Sequence, residues 1–216
     1  MRTRQEKAIL LILMLLVVSA IVAGTALAGQ QSTQSIYRNL GQIQRELFSE
    51  TKTATANDTY AVGAHICISR AEYENLARQI ALVDSEASAA ERARNILIEQ
   101  RVLSYAASQA GIFVSDELVQ KQIADTRAGI KVAENKADYE ALLDGLGMTD
   151  DEYWATQTEI VRTTAAIALY QEHCRDSFFK QEQTATEEDW NSWWETHVTG
   201  LITAENITTV TENDIE

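Results

Sequence analysis

No proline occurs anywhere in the 216 residues of this chain, although average usage would place roughly ten in that length. Proline removes a backbone donor and its ring clashes with the preceding turn, so it interrupts helices more reliably than any other residue. Without it, the chain is predicted to form long helices whose ends are set by glycine and by capping side chains. Hydrophobic residues make up 45% of the sequence, which is enough for one domain with a real core.

Arg2, Arg4 and Lys7 precede an apolar run from Ala8 to Ala28 that is broken only by Ser19, Gly24 and Thr25. Basic flank followed by apolar stretch reads as an export signal. Two forms of it stay open: a signal peptide over residues 1–28, cleaved after Ala26-Leu27-Ala28, or a retained transmembrane anchor through residues 8–28. At about 1.5 Å per residue the run is also long enough for a hydrocarbon core of about 30 Å. Both forms keep the charged N-terminus inside and predict an extracytoplasmic protein, either secreted or anchored to the cell membrane with its domain outside. Beyond residue 28 the chain has 15 basic against 31 acidic side chains. Such a surface repels phosphate backbones, so no nucleic-acid partner is expected.

Residues 29–59 read as an amphipathic helix and linker. Ile36, Leu40, Ile43 and Leu47 recur at steps of four and three, forming one apolar stripe. Its partner is a second copy of the chain in a homodimer, the main domain, or a membrane surface. Ser49 to Thr59 has no large apolar residue and reads as a linker, so the main domain is placed at 60–216. Tyr60 to Ile68 is predicted as a strand or a tight hairpin around Gly63-Ala64.

Ser69 and Glu72 form a capping box that starts a helix at Arg70, and a second helix is expected over about 87–110. Gly111 ends it in the left-handed conformation. Ile112, Phe113 and Val114 then extend to Ser115, which caps a helix opened by Asp116 and Glu117. A short helix is predicted over 137–143, stopped by the pair Gly145 and Gly147. Thr149 and Glu152 form another capping box, opening a helix of about 30 residues that runs to Lys180. Thr186 opens a tryptophan-rich helix. Leu201 to Val210 alternates and reads as a strand that pairs with the first, joining the ends of the domain.

Four stretches carry a resemblance: Ile68-Ser69-Arg70-Ala71-Glu72-Tyr73, Ala107 to Glu117 (ASQAGIFVSDE), Tyr139 to Tyr153 (YEALLDGLGMTDDEY) and Ala185 to His197 (ATEEDWNSWWETH). In this order they resemble the N-terminal chaperone domain of the SurA/PrsA group of extracytoplasmic foldases, over about residues 60–197. The resemblance implies a mainly α fold, SurA N-terminal-like, with a small pairing of terminal β-strands behind one signal or anchor helix. It also implies binding of unfolded or extended segments of secreted proteins. Members carry a parvulin module of roughly a hundred residues after this domain, whereas 19 residues follow His197 here, so no prolyl isomerase activity is expected. Gly63-Ala64-His65 also stands where the family has Asn-Gly-Glu, which leaves the form of that turn open.

No Ser-His-Asp spacing, HExxH, P-loop or full GxGxxG is readable, and no enzyme activity, cofactor or metal is expected. Gly145-Leu146-Gly147 lacks the third glycine and a preceding strand. Asp144, Asp150, Asp151 and Glu152 lack the ligand spacing of a calcium loop. Cys67 and Cys174 are either two free thiols or one disulfide. The aromatics carry the functional expectation: Trp154, Phe178, Trp190, Trp193 and Trp194 are the candidates for client binding, because a chaperone needs exposed apolar surface. Trp193 and Trp194 are adjacent, so they cannot share one helix stripe, and at least one should be partly exposed. The expected function is therefore a non-enzymatic holdase. A cell-surface structural or assembly protein and a degenerate isomerase relative are the alternatives.

Overall fold

The computed structural model describes residues 33–50 and 59–210, with side chains from 33–46 and 59–210. The apolar run of residues 8–28 and the side chain of Leu47 lie outside the described residues. Among those described, no helix is long and apolar enough to cross a membrane. Seven helices and one small sheet follow in the order α1 (Thr33–Glu50), β1 (Thr59–Val62), β2 (Cys67–Ser69), α2 (Arg70–Ile80), α3 (Glu86–Gln109), α4 (Asp116–Lys131), α5 (Lys136–Leu146), α6 (Asp150–Gln181), α7 (Glu187–Ala204) and β3 (Thr208–Thr209). The fold is thus mainly helical with a minor antiparallel sheet, ordered β2-β1-β3.

The helix ends sit where local chemistry sets them. Ser69, Thr149 and Thr186 each accept the amide three residues on, and Glu72, Glu152 and Asp189 reach back to the cap, so all three boxes are closed. Ser115 likewise accepts the Leu118 amide. At the corner between α3 and α4, Gly111 takes φ +72°. Its N–H donates to the Ser108 carbonyl and that of Ile112 to Ala107, both at 3.0 Å, which closes the last turn with paired backbone bonds. Gly147 ends α5 in the same way, at φ +66°.

Gly145 does not share that role: α5 runs through it to Leu146. A Cβ built on Gly145 would lie 2.1 Å from the Arg38 carbonyl oxygen of α1, and one on Gly41 would lie 2.3 Å from that of Leu142. The two helices therefore cross backbone to backbone, and only glycine fits on either side. Ile36, Tyr37 and Leu40 are buried, while Ile43 is half-buried. Arg78 of α2 pairs with Glu46 at 2.7 Å and Arg38 with Asp144 at 2.8 Å. Of the three partners open to the apolar stripe, the structure shows the chain's own main domain. A homodimer through Ile36 and Leu40 would have to displace this intrachain contact.

The predicted hairpin forms, with Gly63 N–H donating to the Ile66 carbonyl at 2.9 Å. Its turn is latched from the far end of the chain by the buried Glu205, which accepts from the His65 amide at 2.7 Å and contacts the His65 ring nitrogen Nδ1 at 3.1 Å. The expected strand over Leu201–Val210 shrinks to Thr208–Thr209, because α7 continues to Ala204. Leu201 and Ile202 pack against the aromatic core while still helical, and tertiary contact overrides their alternation. The terminal pairing itself is present, with Ala61 opposite Thr209 and Val62 opposite Thr208.

Two main cores lie along α6, which at 32 residues is about 48 Å long. Its first half joins α1, α4 and α5 around Leu40, Val119, Leu142, Tyr153, Trp154 and Val161. Its second half joins α3 and α7 around Leu103, Ala107, Tyr170, Cys174, Trp190 and Val198. The sheet packs separately on α3 through Ile66, Ile68, Leu97 and Val102.

Candidate functional site

Trp190, Trp193, Trp194 and His197 fall at i, i+3, i+4 and i+7 of α7, the spacing that puts residues on one helix face. Tyr170, Cys174 and Phe178 supply the facing stripe of α6 at steps of four. The result is a continuous aromatic layer between the two helices. Trp190 is its floor, 4% exposed, with ring centroids 5.4 Å from Trp193, 5.5 Å from Trp194 and 5.7 Å from Phe178. Trp193 is 36% exposed and stacks on His197 at 4.7 Å and 9°. Trp194 and Phe178 are half-buried. Offset and tilted pairs at these separations are the favoured arrangements of aromatic rings.

Two clefts open on this layer. One, of about 280 Å³, is bounded by Ala110 from the end of α3 and by Tyr170, His173, Cys174, Phe178 and Trp193. The other, of about 420 Å³, lies against Phe178, Glu182, Thr184, Ala185, Asp189 and Ser192. Phe178 is thus a wall of both.

Of the five residues expected to contact clients, the layer brings together Phe178, Trp190, Trp193 and Trp194. Trp154 does not join them. It is 7% exposed in the other core, edge-on to Tyr153, because it sits in the second turn of α6, well over half of that helix away from Cys174 in the aromatic layer. Trp190 is also sealed, so only Trp193, Trp194 and Phe178 present ring surface. His197 and Tyr170 belong to the site although the sequence reading did not single them out. The i, i+7 step from Trp190 was the signal for His197. The cysteines are both free: Cys67 is exposed on β2 and Cys174 is buried within the layer, so the disulfide alternative is not formed.

Burial, and then the nearby Cys174, push the Tyr170 phenol up to about 12, and burial also raises the Cys174 thiol. Burial pulls the His197 imidazole below its ordinary value of 6.5. At neutral pH phenol and imidazole are therefore both uncharged across the 2.9 Å contact between the Tyr170 hydroxyl and His197 Nε2, and the thiol stays protonated. A protonated, buried thiol is a poor nucleophile. Among the described residues, no group of three or more His, Cys, Asp or Glu side chains is placed to hold a metal ion. Asp150 is occupied by Tyr139 at 2.6 Å and by Arg127.

The depressed His197 value sets a pH dependence. Between the folded value and the unfolded value of about 6.5, the unfolded chain binds more protons, so stability rises with pH. The contribution is complete above about 6.5 and is lost as pH falls below it. Denaturant midpoints measured from pH 7 down to pH 5 are expected to fall for the native sequence and to fall less for His197→Gln. Equal slopes would place the dependence elsewhere.

Comparison of the chain with family models, with curated proteins and with solved structures finds no match in any of the three. The class that fold and site define is a mainly helical protein with a partly exposed aromatic layer and two clefts.

Proposed function

We propose that this protein is an extracytoplasmic, non-enzymatic holdase that binds extended segments of unfolded secreted proteins at the rim of the aromatic layer. The observation that supports this reading most is the exposure of Trp193 above a cleft that it shares with Phe178. Large aromatics are ordinarily buried, and burying one apolar client side chain there is worth about 1.5–3 kcal/mol. A single anchor of that strength gives no better than about millimolar affinity. Such contacts form and release without a nucleotide cycle, which suits a compartment outside the cytoplasm. The apolar run of residues 8–28 either exports the chain or tethers it to the membrane in this reading. Packing of Ile36 and Leu40 into the chain's own core favours the holdase over a spacer that zippers through α1.

Aggregation of a chemically unfolded client tests the proposal, using the full-length protein held in zwitterionic nanodiscs. The native sequence is expected to suppress aggregation, and Phe178→Ala with Trp193→Ala to lose most of the effect while keeping its helical circular dichroism. Prolyl isomerisation should stay at the uncatalysed rate. A native protein that suppresses nothing, or that turns over prolyl bonds, contradicts the reading.

A further inference from the structure

We infer that the client site has a cation-selecting half, so that it prefers segments in which Lys or Arg stands two residues from an aromatic or large aliphatic side chain. This inference rests on the holdase reading and names the kind of segment it would hold. Phe178 separates the two clefts. On one side the rings of Tyr170, Phe178 and Trp193 stand beside the uncharged Ser177 and Gln181, whereas the other side is lined by the acidic Glu182 and Asp189.

Neither cleft is lined by Lys or Arg. After Lys180 the chain has no Lys or Arg at all, against nine Asp and Glu residues. Arg175 is engaged by Glu187 and lies over the Phe179 ring at 5.2 Å, so it is not aimed at the second cleft. The Asp189 carboxylate accepts from the Thr186 amide at 2.8 Å and from its hydroxyl at 2.7 Å, and these bonds hold it ionised well below neutral pH. The start of α7 places positive partial charge nearby, but Glu188 and Asp189 in its first turn outweigh that half charge.

Charge complementarity therefore commits the second cleft to a cation. An extended chain puts residues i and i+2 on one face, about 7 Å apart. Because Phe178 lines both clefts, a segment crossing its ring can set an apolar side chain in the first cleft and a basic one, two residues on, in the second. A segment with an acidic residue in the second position meets like charge there and is disfavoured.

Binding of short labelled peptides by the full-length protein in zwitterionic nanodiscs tests this. One host peptide is made with Phe-x-Lys, Phe-x-Glu and Ala-x-Lys cores. At low ionic strength the Phe-x-Lys peptide is expected to bind on the order of tenfold more tightly than Phe-x-Glu. High salt should close the gap. Glu182→Gln with Asp189→Asn, which keeps a side-chain acceptor at the cap, should also narrow it. Equal affinity of the Lys and Glu peptides at low salt, with both weakened by Trp193→Ala, overturns the inference while the holdase reading stands. If none of the peptides binds, the holdase reading falls, and the inference falls with it.

Discussion

Gly145→Ala is expected to destabilise the protein by about 2 kcal/mol, although alanine is the better helix former. In the last turn of α5 the exchange alone would favour folding by at most about 1 kcal/mol. The added methyl, however, would lie 2.1 Å from a backbone oxygen of α1. No rotamer change can relieve a clash with backbone, and overpacking of this kind costs about 1–3 kcal/mol or more. The helices must separate, and Tyr37 and Leu40 lose their seats in the core. Gly129→Ala in α4 is the matched control, since nothing lies within 4 Å of its added Cβ. It should stabilise by about 0.5–1 kcal/mol. Urea midpoints that move in opposite directions for the two variants establish the backbone crossing. A Gly145→Ala protein as stable as the native one would mean that α1 does not dock as described.

Trp190→Ala and Trp193→Ala should differ as sharply, though they lie one helical turn apart. Trp190 touches Phe178, Trp193 and Trp194 and is almost fully buried, so its truncation opens a cavity costing about 3–5 kcal/mol. Trp193 already faces solvent over a third of its surface, and its loss should cost about 1 kcal/mol or less. Thermal unfolding of the two variants measures the difference. Equal and large losses would make Trp193 a core residue and remove the surface the proposed function needs.

Features whose physics is local were legible in the sequence. A capping hydroxyl and the amide it accepts are three residues apart, so Ser69, Ser115, Thr149 and Thr186 could be read directly, and each caps a helix. Gly111 was legible for the same reason. Gly145 was not, because the need for it comes from Arg38, more than a hundred residues away. The same limit hid the latch between Glu205 and His65 and left the cysteine pairing open. Leu201 to Ala204 misled because alternation is the only local signal there, while the contacts that keep those residues helical lie on other elements. In the site, adjacency of Trp193 and Trp194 correctly implied exposure of at least one. Nothing along the chain separated Trp154, at the opposite end of α6, from the cluster it was grouped with.

The most direct test of the account is to place a photoreactive benzophenone side chain at Trp193, at Phe178 and at Gln120, an exposed position on α4, and to irradiate each protein with an unfolded client. Covalent adducts are expected from positions 193 and 178 and only background from 120. Adducts of equal yield at all three positions, or none at 193, would contradict it.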